Sequence, residues 1–285
     1  MRRREFLAGA LACAVAPSIA APAPRRPRLG FQVYGVRDLC ERDFPGTLRA
    51  ARAIGYEGVE TGRFYGRSAR ELKSICADAG LELFALQLYP WTLAGAELPK
   101  TIRFAHEAGC NRINVAWFQG SAVNENDWQL LVATLNYAAE VCAKEGLVVA
   151  YHNHDHEFRI RFGKRTVWAL LWERFSPQVV SELDLGNCLL GGGDPLAELA
   201  KLPHRNPTVH VMPAIEDAAG LAPGAAGVGS ARDRMDWPRA VSALAADGCQ
   251  WLTVKPTAHP GSIEDLRASH AYLSRLLSKI LKETT

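Results

Sequence analysis

The chain has 285 residues, of which 33 are Lys or Arg and 30 are Asp or Glu, giving a formal net charge of +3. A balance this close to neutral argues against nucleic acid as a partner, because that binding depends on neutralising many phosphates with basic side chains. The length is long for one ordinary domain but normal for a single α/β barrel.

The first twenty residues have the pattern of an export signal. Three arginines at positions 2–4 precede a short uncharged stretch, and small residues at 18–20 offer a cleavage site. Arg3 and Arg4, shortly before a Phe-Leu pair, resemble the twin-arginine motif, which a translocation receptor reads as an address. An ordinary Sec signal and a lipoprotein signal ending at Cys13 are the alternatives.

We therefore expect residues 1–20 to be a twin-arginine-type signal peptide and residues 21–285 to form one periplasmic barrel domain. Removal of the signal takes away three Arg and one Glu and lowers the formal charge from +3 to +1. No later stretch is apolar enough to span a bilayer, so no membrane association is expected after signal removal. The sequence does not predict an oligomeric state.

Eight short apolar runs alternate with amphipathic stretches along the rest of the chain. The predicted strands are Leu29–Tyr34, Gly58–Thr61, Leu83–Leu88, Arg112–Ala116, Val148–His152, Val179–Asp184, Thr208–Met212 and Trp251–Lys255. The predicted helices include Phe44–Ile54, Ala69–Ala79, Leu98–Ala108, Asp127–Glu145 and Trp237–Ala246. Apolar strands separated by helices indicate a parallel sheet covered by helices. Eight such units favour a (β/α)8 TIM barrel over an open doubly wound sheet, and no GxGxxG motif follows the first strand.

Two glycine-rich segments interrupt the second half of the chain. Residues 191–195 predict a turn into a helix at about 196–201, and residues 218–230 predict a mobile loop after the seventh strand. The six cysteines that follow the signal show no CxxC or finger spacing, which favours buried thiols over a metal site. Cys40 lies in a loop-like stretch and is the exception.

Ionisable side chains collect at the carboxyl ends of the predicted strands, where the active sites of barrel enzymes lie. Strand five carries His152 and His154 on one face, strand six ends at Asp184, and strand seven contains His210. Two imidazoles and a carboxylate from adjacent strands predict a divalent-metal site with open positions for substrate oxygens. A structural role is the alternative for any single histidine.

Aromatic and polar side chains gather at the same level. Flat rings suit the C–H faces of a sugar, and side chains such as Gln32 and Arg37 suit its hydroxyls. The alternative for the rings is packing beneath the loops. The predicted substrate-binding residues are Gln32, Tyr34, Arg37, Glu60, Gln87, Trp91 and Trp117.

Several motifs together resemble one protein family. They are GFQVYGVR at 30–37, IGYEGVE at 54–60, YHNHD at 151–155, ELD at 182–184, His210, and MDW at 235–237. Over residues 29–280 the chain resembles the sugar phosphate isomerase/epimerase family, also called the xylose isomerase-like barrel superfamily. The wider family includes inosose dehydratases, ketose 3-epimerases, 3-keto-glycoside lyases and endonuclease-IV-type repair enzymes.

The resemblance implies a divalent metal such as Mn, Zn, Co or Mg, held at the ends of strands five to eight. It assigns Asp184 and His210 as ligands, and it places His152 where many relatives have a glutamate. At strand eight, Lys255 stands where the family glutamate is expected. A protonated ammonium cannot ligate a metal and repels it.

Other positions depart from the family pattern as well. Val211 and Met212 stand in place of a lysine and an aspartate, and Gln87 stands in place of a strand-three histidine. The epimerase mechanism that the resemblance implies uses two metal-bound glutamates. Neither glutamate has an evident counterpart in this sequence.

Three alternatives follow from these departures. A metal binds weakly through His152 or His154 with Asp184 and His210; or Lys255 replaces the metal as an electrostatic group or a base; or catalysis has been lost. Lys255 is expected to point into an apolar barrel interior, where it needs an anionic partner. Extension of Lys255 into solvent is the alternative. The carboxylates expected within its reach are Asp184, Glu157 and Glu182.

The predicted function is that of a sugar or cyclitol isomerase or epimerase, or of a related 3-keto-sugar lyase or dehydratase. The predicted catalytic residues are Lys255, Glu157 and His154, and the expected partner is a small carbohydrate-like molecule. The alternative is a non-catalytic sugar-binding or accessory barrel that has lost its metal site. The near-neutral charge and the export signal argue against a repair nuclease.

Overall fold

Eight parallel strands close into a barrel in the computed structural model, which describes residues 26–116, 124–217, 220–223, 227–256 and 262–284. The strands are β1 (Arg28–Gln32), β2 (Gly58–Thr61), β3 (Glu82–Leu88), β4 (Arg112–Ala116), β5 (Val148–His152), β6 (Val179–Asp184), β7 (Thr208–Val211) and β8 (Trp251–Val254). Each pairs with its neighbours in chain order, and β8 pairs with β1 to close the ring. The predicted TIM barrel is confirmed. The predicted export signal at 1–20 lies outside the described residues.

Helices connect the strands and cover the outside of the barrel. They are α1 (Arg37–Ile54), α2 (Ala69–Asp78), α3 (Leu98–Ala108), α4 (Glu125–Lys144), α5 (His156–Arg159), α6 (Val167–Arg174), α7 (Leu185–Leu190), α8 (Pro195–Lys201), α9 (Trp237–Asp247) and α10 (Ile263–Thr284). The helices that the sequence predicts are all present. In the described part of the chain, no helix is both long and apolar enough to cross a membrane.

The first helix begins earlier than the sequence predicts. It runs from Arg37 but has a non-helical residue at Asp43, whose carboxylate accepts a hydrogen bond from the Gly46 N–H at 2.8 Å. This kink explains why the periodic pattern starts only at Phe44. Cys40 is therefore buried in a helix, and its assignment to a loop was wrong.

The segment predicted as a mobile loop at 218–230 is only partly a loop. The strand Gly220–Pro223 pairs antiparallel with Ala214–Asp217, so a hairpin extends from the mouth after β7. Its two strands, AIED and GLAP, consist mainly of Gly, Ala, Asp, Glu and Pro, which carry little strand preference and so hide the hairpin.

The barrel interior has an aromatic plug at its lower end and polar side chains above it. The rings of Phe84 and Trp251 stack at 4.3 Å between centroids, and Gly30 and Gly58 leave room for them. A Cβ at Gly58 would lie 2.5 Å from the Trp251 ring. The interior above the plug is lined by polar side chains that include Gln32, Glu60, Asn114, His152, Glu182, Thr208, His210 and Thr253. The expectation of an apolar interior around Lys255 was wrong.

The main apolar core lies between the barrel and its helices. It contains fully buried Trp128, Trp168 and Trp237 and many Leu and Val side chains, each contributing roughly 2 kcal/mol by burial. Because the apolar core lies in this layer, the protein can place polar groups inside the barrel and still bury a large apolar surface. The described cysteines, residues 40, 76, 110, 142, 188 and 249, are all buried and free, as predicted for most of them.

Candidate active site

Three side chains from β5, β6 and β7 converge near the carboxyl ends of these strands. Asp184 Oδ2 lies 4.0 Å from His152 Nε2 and 3.7 Å from His210 Nδ1, and the two imidazole centroids are 4.3 Å apart. The register places Asp184 beside His210 and His152 beside Glu182, so adjacent strands bring them to one level. One ligand atom from each of the three lies within 4.8 Å of the others. The prediction that a strand-five histidine, Asp184 and His210 converge at the mouth is confirmed, and the histidine is His152.

A second layer of carboxylates lies behind the two imidazoles. His210 Nε2 is 3.3 Å from Glu60 Oε1 and 3.5 Å from Glu182 Oε2, and His152 Nδ1 is 3.6 Å from Glu182 Oε2. Asn114 donates hydrogen bonds to Glu60 at 3.1 Å and to Glu182 at 2.6 Å. Each imidazole thus has one nitrogen toward Asp184 and the other toward a carboxylate. This arrangement is typical of metal-binding histidines, whose outer nitrogen is oriented by a carboxylate.

The two buried glutamates interact electrostatically with His210. Burial and the neighbouring charge of Glu60 raise the pKa of Glu182 well above its usual value. Burial opposes ionisation of Glu60, but the charge and hydrogen bonds of His210 outweigh it and lower the pKa of Glu60. Burial likewise opposes protonation of His210, yet the carboxylates raise its pKa to about 10. His210 must therefore release a proton before it can bind a metal ion.

Lys255 follows β8 and points into the mouth. Its Nζ donates a hydrogen bond to Asp184 Oδ2 at 3.2 Å, and its side chain is 12 % exposed. Burial raises the pKa of Asp184, but Lys255 and His210 more than offset it, so the net shift is downward. The prediction that Lys255 points inward is confirmed, and the solvent-exposed alternative was wrong. Of its three candidate carboxylates, Lys255 pairs with Asp184.

The triad of His152, Asp184 and His210 fits a divalent cation by its donor atoms and spacing. His210 Nδ1 is buried and has no hydrogen-bond partner among the described residues. Burial lowers the pKa of His152 well below its usual value, which leaves a neutral imidazole suitable for a metal. The ammonium of Lys255 contacts the same Asp184 oxygen that faces both imidazoles. A cation at the triad therefore competes with Lys255.

His154 lies beside this triad but not in it. Its ring centroid is 5.1 Å from that of His152, while its ligand atoms group with His156 and Glu157. Burial and the charge of Lys255 lower the pKa of His154 to about 3. The structure therefore favours His152, and not His154, as the residue that could share a metal ion with Asp184 and His210.

Glu157 is buried on the other side of β5. Its Oε1 accepts a hydrogen bond from the Tyr151 hydroxyl at 2.6 Å, and its Oε2 accepts one from the His154 N–H at 2.9 Å. Burial raises its pKa to about 8. The carboxylate holds the turn that carries His154, and a catalytic role for Glu157 stays a prediction.

The predicted substrate-binding residues fall into three groups. Gln32 donates a hydrogen bond to Gln87 at 2.5 Å inside the barrel, while Glu60 is fully buried against His210. Tyr34 and Trp91 are exposed by 46 % and 56 % at the rim. The guanidinium of Arg37 lies over the Tyr34 ring, 4.5 Å from its centroid. The Trp91 ring stacks on that of Tyr89 with 4.3 Å between centroids. Trp117 lies outside the described residues. Contact of these residues with a substrate stays a prediction.

Two asparagines outside the predicted set of site residues hold Asp184 in place. Asn153 accepts the Asp184 N–H at 2.8 Å, and Asn187 donates from its side chain to Asp184 Oδ2 at 3.0 Å. Asp184 also accepts the Asn187 N–H at 2.8 Å and so caps α7. No clear signal in the sequence marks this cap, because α7 is too short to show a helical period.

A closed parallel barrel with imidazoles, carboxylates and an ammonium at the carboxyl ends of its strands has the architecture of a TIM-barrel enzyme. The family model described as "Xylose isomerase-like TIM barrel" matches residues 48–276, and the chain belongs to that family. The predicted membership of the xylose isomerase-like barrel superfamily is confirmed.

Similar proteins include two inosose dehydratases. That of Geobacillus kaustophilus (strain HTA426) is 26 % identical over 225 residues, with 69 % of each protein covered. That of Geobacillus thermodenitrificans (strain NG80-2) is 28 % identical over 195 residues, covering 60 % of this chain and 63 % of that protein. A solved sugar phosphate isomerase/epimerase from Parabacteroides distasonis ATCC 8503 has a TM-score of 0.70 at 22 % identity, covering 90 % of this chain and 98 % of that one. An L-ribulose 3-epimerase structure has a TM-score of 0.67 at 15 % identity, covering 90 % and 97 %. These two structures show the common fold.

Proposed function

We propose that this protein is an exported enzyme that isomerises, epimerises or dehydrates a sugar or cyclitol at the mouth of its barrel. The observation that carries this proposal is the buried group of His152, Asp184, His210 and Lys255, which places ionisable side chains of both signs around one point. Such groups cost free energy to bury and are concentrated at functional sites. The relatives named as inosose dehydratases and sugar isomerases support the same class of substrate.

Isomerisation, epimerisation and dehydration of a sugar can all proceed through an enol. The step they then share is removal of a proton from the carbon beside a carbonyl group. That step needs a base near the carbon and a positive group near the oxygen. A divalent ion held by His152, Asp184 and His210 would supply Lewis-acid polarisation of the oxygen. Lys255 offers a hydrogen-bond donor and a positive charge at the same place. We assign the polarising role to Lys255 and the base to the neutral imidazole of His152, whose Nε2 faces the same Asp184 oxygen.

Export to the periplasm is part of this proposal. It rests on the arginine pair Arg3–Arg4 and the uncharged stretch that follows. A soluble sugar or cyclitol in that compartment would reach the mouth directly, since the mouth lies at the loop-bearing end of the barrel.

A non-catalytic sugar-binding barrel is the second candidate. The observation that favours it is the ion pair itself, because Lys255 neutralises Asp184 and stands where the family's glutamate is expected. In this case the rim aromatics would bind a ligand that the interior does not transform.

Proton exchange separates the two candidates. The purified chain is incubated in D2O with a panel of keto-sugars and inososes, with and without Mn2+, and the C–H signals are followed by NMR. An enzyme that forms an enol exchanges the proton beside the carbonyl even when no net product accumulates. Exchange that is lost in Lys255→Met supports the proposal. Ligands that raise the Tm but show no exchange under either condition would establish the binding protein instead.

A further inference from the structure

A second cluster of metal-ligating atoms lies after β5, separate from the triad at the mouth. His154 from the turn and His156 and Glu157 from α5 each offer one ligand atom, and these atoms lie within 4.8 Å of one another. His156 Nε2 is 3.5 Å from Glu157 Oε2. Metal–ligand bonds of about 2.0–2.1 Å in a tetrahedral site separate the ligand atoms by about 3.3 Å, so this pair already has a suitable spacing.

Two imidazole nitrogens in the cluster lack partners. His154 Nδ1 and His156 Nε2 are buried atoms with no hydrogen bond among the residues that the structure describes. The two rings are nearly parallel, with an interplanar angle of 13° and centroids 5.7 Å apart. Buried nitrogens without partners are rare in folded proteins, because each loses its hydrogen bonds with water on folding.

The carboxylate in the cluster is equally unusual. Glu157 is fully buried, and its two described donors are the Tyr151 hydroxyl and the His154 N–H, which are both uncharged. The ammonium of Lys255 pairs with Asp184 instead. Ionising a buried carboxyl group that has no cationic partner is costly. One cation between the three side chains would satisfy the carboxylate and both nitrogens together.

We propose that His154, His156 and Glu157 form a second divalent-metal site that binds a transition ion such as Zn2+ or Co2+. Two imidazoles and one carboxylate favour these ions over Mg2+, which prefers oxygen ligands. The His156 side chain is 24 % exposed, so the site opens toward solvent on that side. The ion fixes the turn after β5 and thereby the position of His154 beside the mouth. This inference goes beyond the proposed reaction and does not depend on it.

Co2+ is a suitable probe, since its visible spectrum reports binding and coordination. The full chain is freed of metal with a chelator and titrated with Co2+ alone. The variants His156→Ala, Glu157→Gln and Asp184→Asn are treated in the same way, together with the control His106→Ala. His106 is an exposed histidine on α3 that also lies near a glutamate, Glu145, at 3.8 Å. Thermal unfolding checks that each variant is folded.

We expect the wild-type chain to bind one Co2+ ion. The affinity for Co2+ should fall at least about tenfold in His156→Ala and in Glu157→Gln. Asp184→Asn and His106→Ala should bind Co2+ like the wild-type chain. Saturating Co2+ should also raise the Tm of the wild-type chain but not that of His156→Ala. Three results would each overturn the proposal. They are no Co2+ binding to the wild-type chain, an unchanged affinity in folded His156→Ala, and loss of the ion in Asp184→Asn with retention in His156→Ala. The last of these would assign the ion to the mouth triad.

Discussion

Lys255 and Asp184 form an ion pair across the mouth of the barrel, with Nζ and Oδ2 3.2 Å apart. Lys255 directly follows β8, and Asp184 is the last residue of β6. The strand β7 lies between these two strands in the barrel. Asp184 is also the acidic member of the triad with His152 and His210. The same carboxylate therefore faces a resident ammonium and a potential metal position. This relationship determines what the site can bind.

Asp184→Asn tests how much the ion pair contributes to stability. Asparagine caps α7 as well as aspartate does, but it leaves the largely buried Lys255 without its partner, so we expect a loss of about 3 kcal/mol in the free energy of unfolding. Asp194→Asn is the matched control, because Asp194 caps α8 at an exposed position without such a pair. Its expected loss is below about 0.5 kcal/mol. Equal losses in urea denaturation would show that the pair contributes nothing beyond the cap.

Trp91→Ala tests the aromatic rim. The indole is 56 % exposed and stacks only on Tyr89 among the ring contacts in the described structure, so its removal should leave the Tm nearly unchanged. If the ring contacts a sugar, ligand affinity should fall about tenfold, in keeping with the 1–3 kcal/mol typical of stacking on an aromatic side chain. Tyr137→Ala, on the exposed face of α4, is the control. A Trp91→Ala protein with unaltered affinity would remove this residue from the binding site.

The described thiols should be unreactive in the folded protein. Burial raises the pKa of Cys40 to about 11, and those of Cys76 and Cys110 to about 12, so little thiolate forms at pH 8. We expect alkylation of these sites only after denaturation, as measured by peptide mass spectrometry. Rapid labelling of Cys40 in the native state would place it at the surface, as its sequence context suggested.

Replacing both Arg3 and Arg4 with lysine tests the export signal. The twin-arginine receptor requires the arginine pair, so we expect the variant to accumulate in the cytoplasm as the uncleaved chain. Cell fractionation and N-terminal sequencing give the location and the cleavage point. Undiminished periplasmic protein would assign the signal to the Sec route.

The strands were predictable because parallel strands buried on both faces are short, nearly continuous apolar runs. The short helices α5 and α7 were not, since fewer than two turns give no periodic signal. The hairpin after β7 was missed because its strands contain only two residues with a clear apolar strand preference, Ile215 and Leu221.

For the site, the sequence identified the members of the triad but not all of their partners. Glu60 lies 150 positions before His210, and only the closure of the barrel brings the two together. Lys255 had three candidate carboxylates, and the pairing with Asp184 depends on the relative heights of β6 and β8. No local pattern contains such long-range registers.

The ammonium of Lys255 holds the place of a metal cation at the mouth triad. Mn2+ affinity of Lys255→Glu, measured by calorimetry in a His156→Ala background that removes the second site, tests it most directly. The substitution removes a competing ammonium about 3 Å from Asp184 and adds a carboxylate, so we expect affinity to rise at least about tenfold, with Lys255→Met intermediate. An unchanged affinity in folded Lys255→Glu protein would contradict the claim.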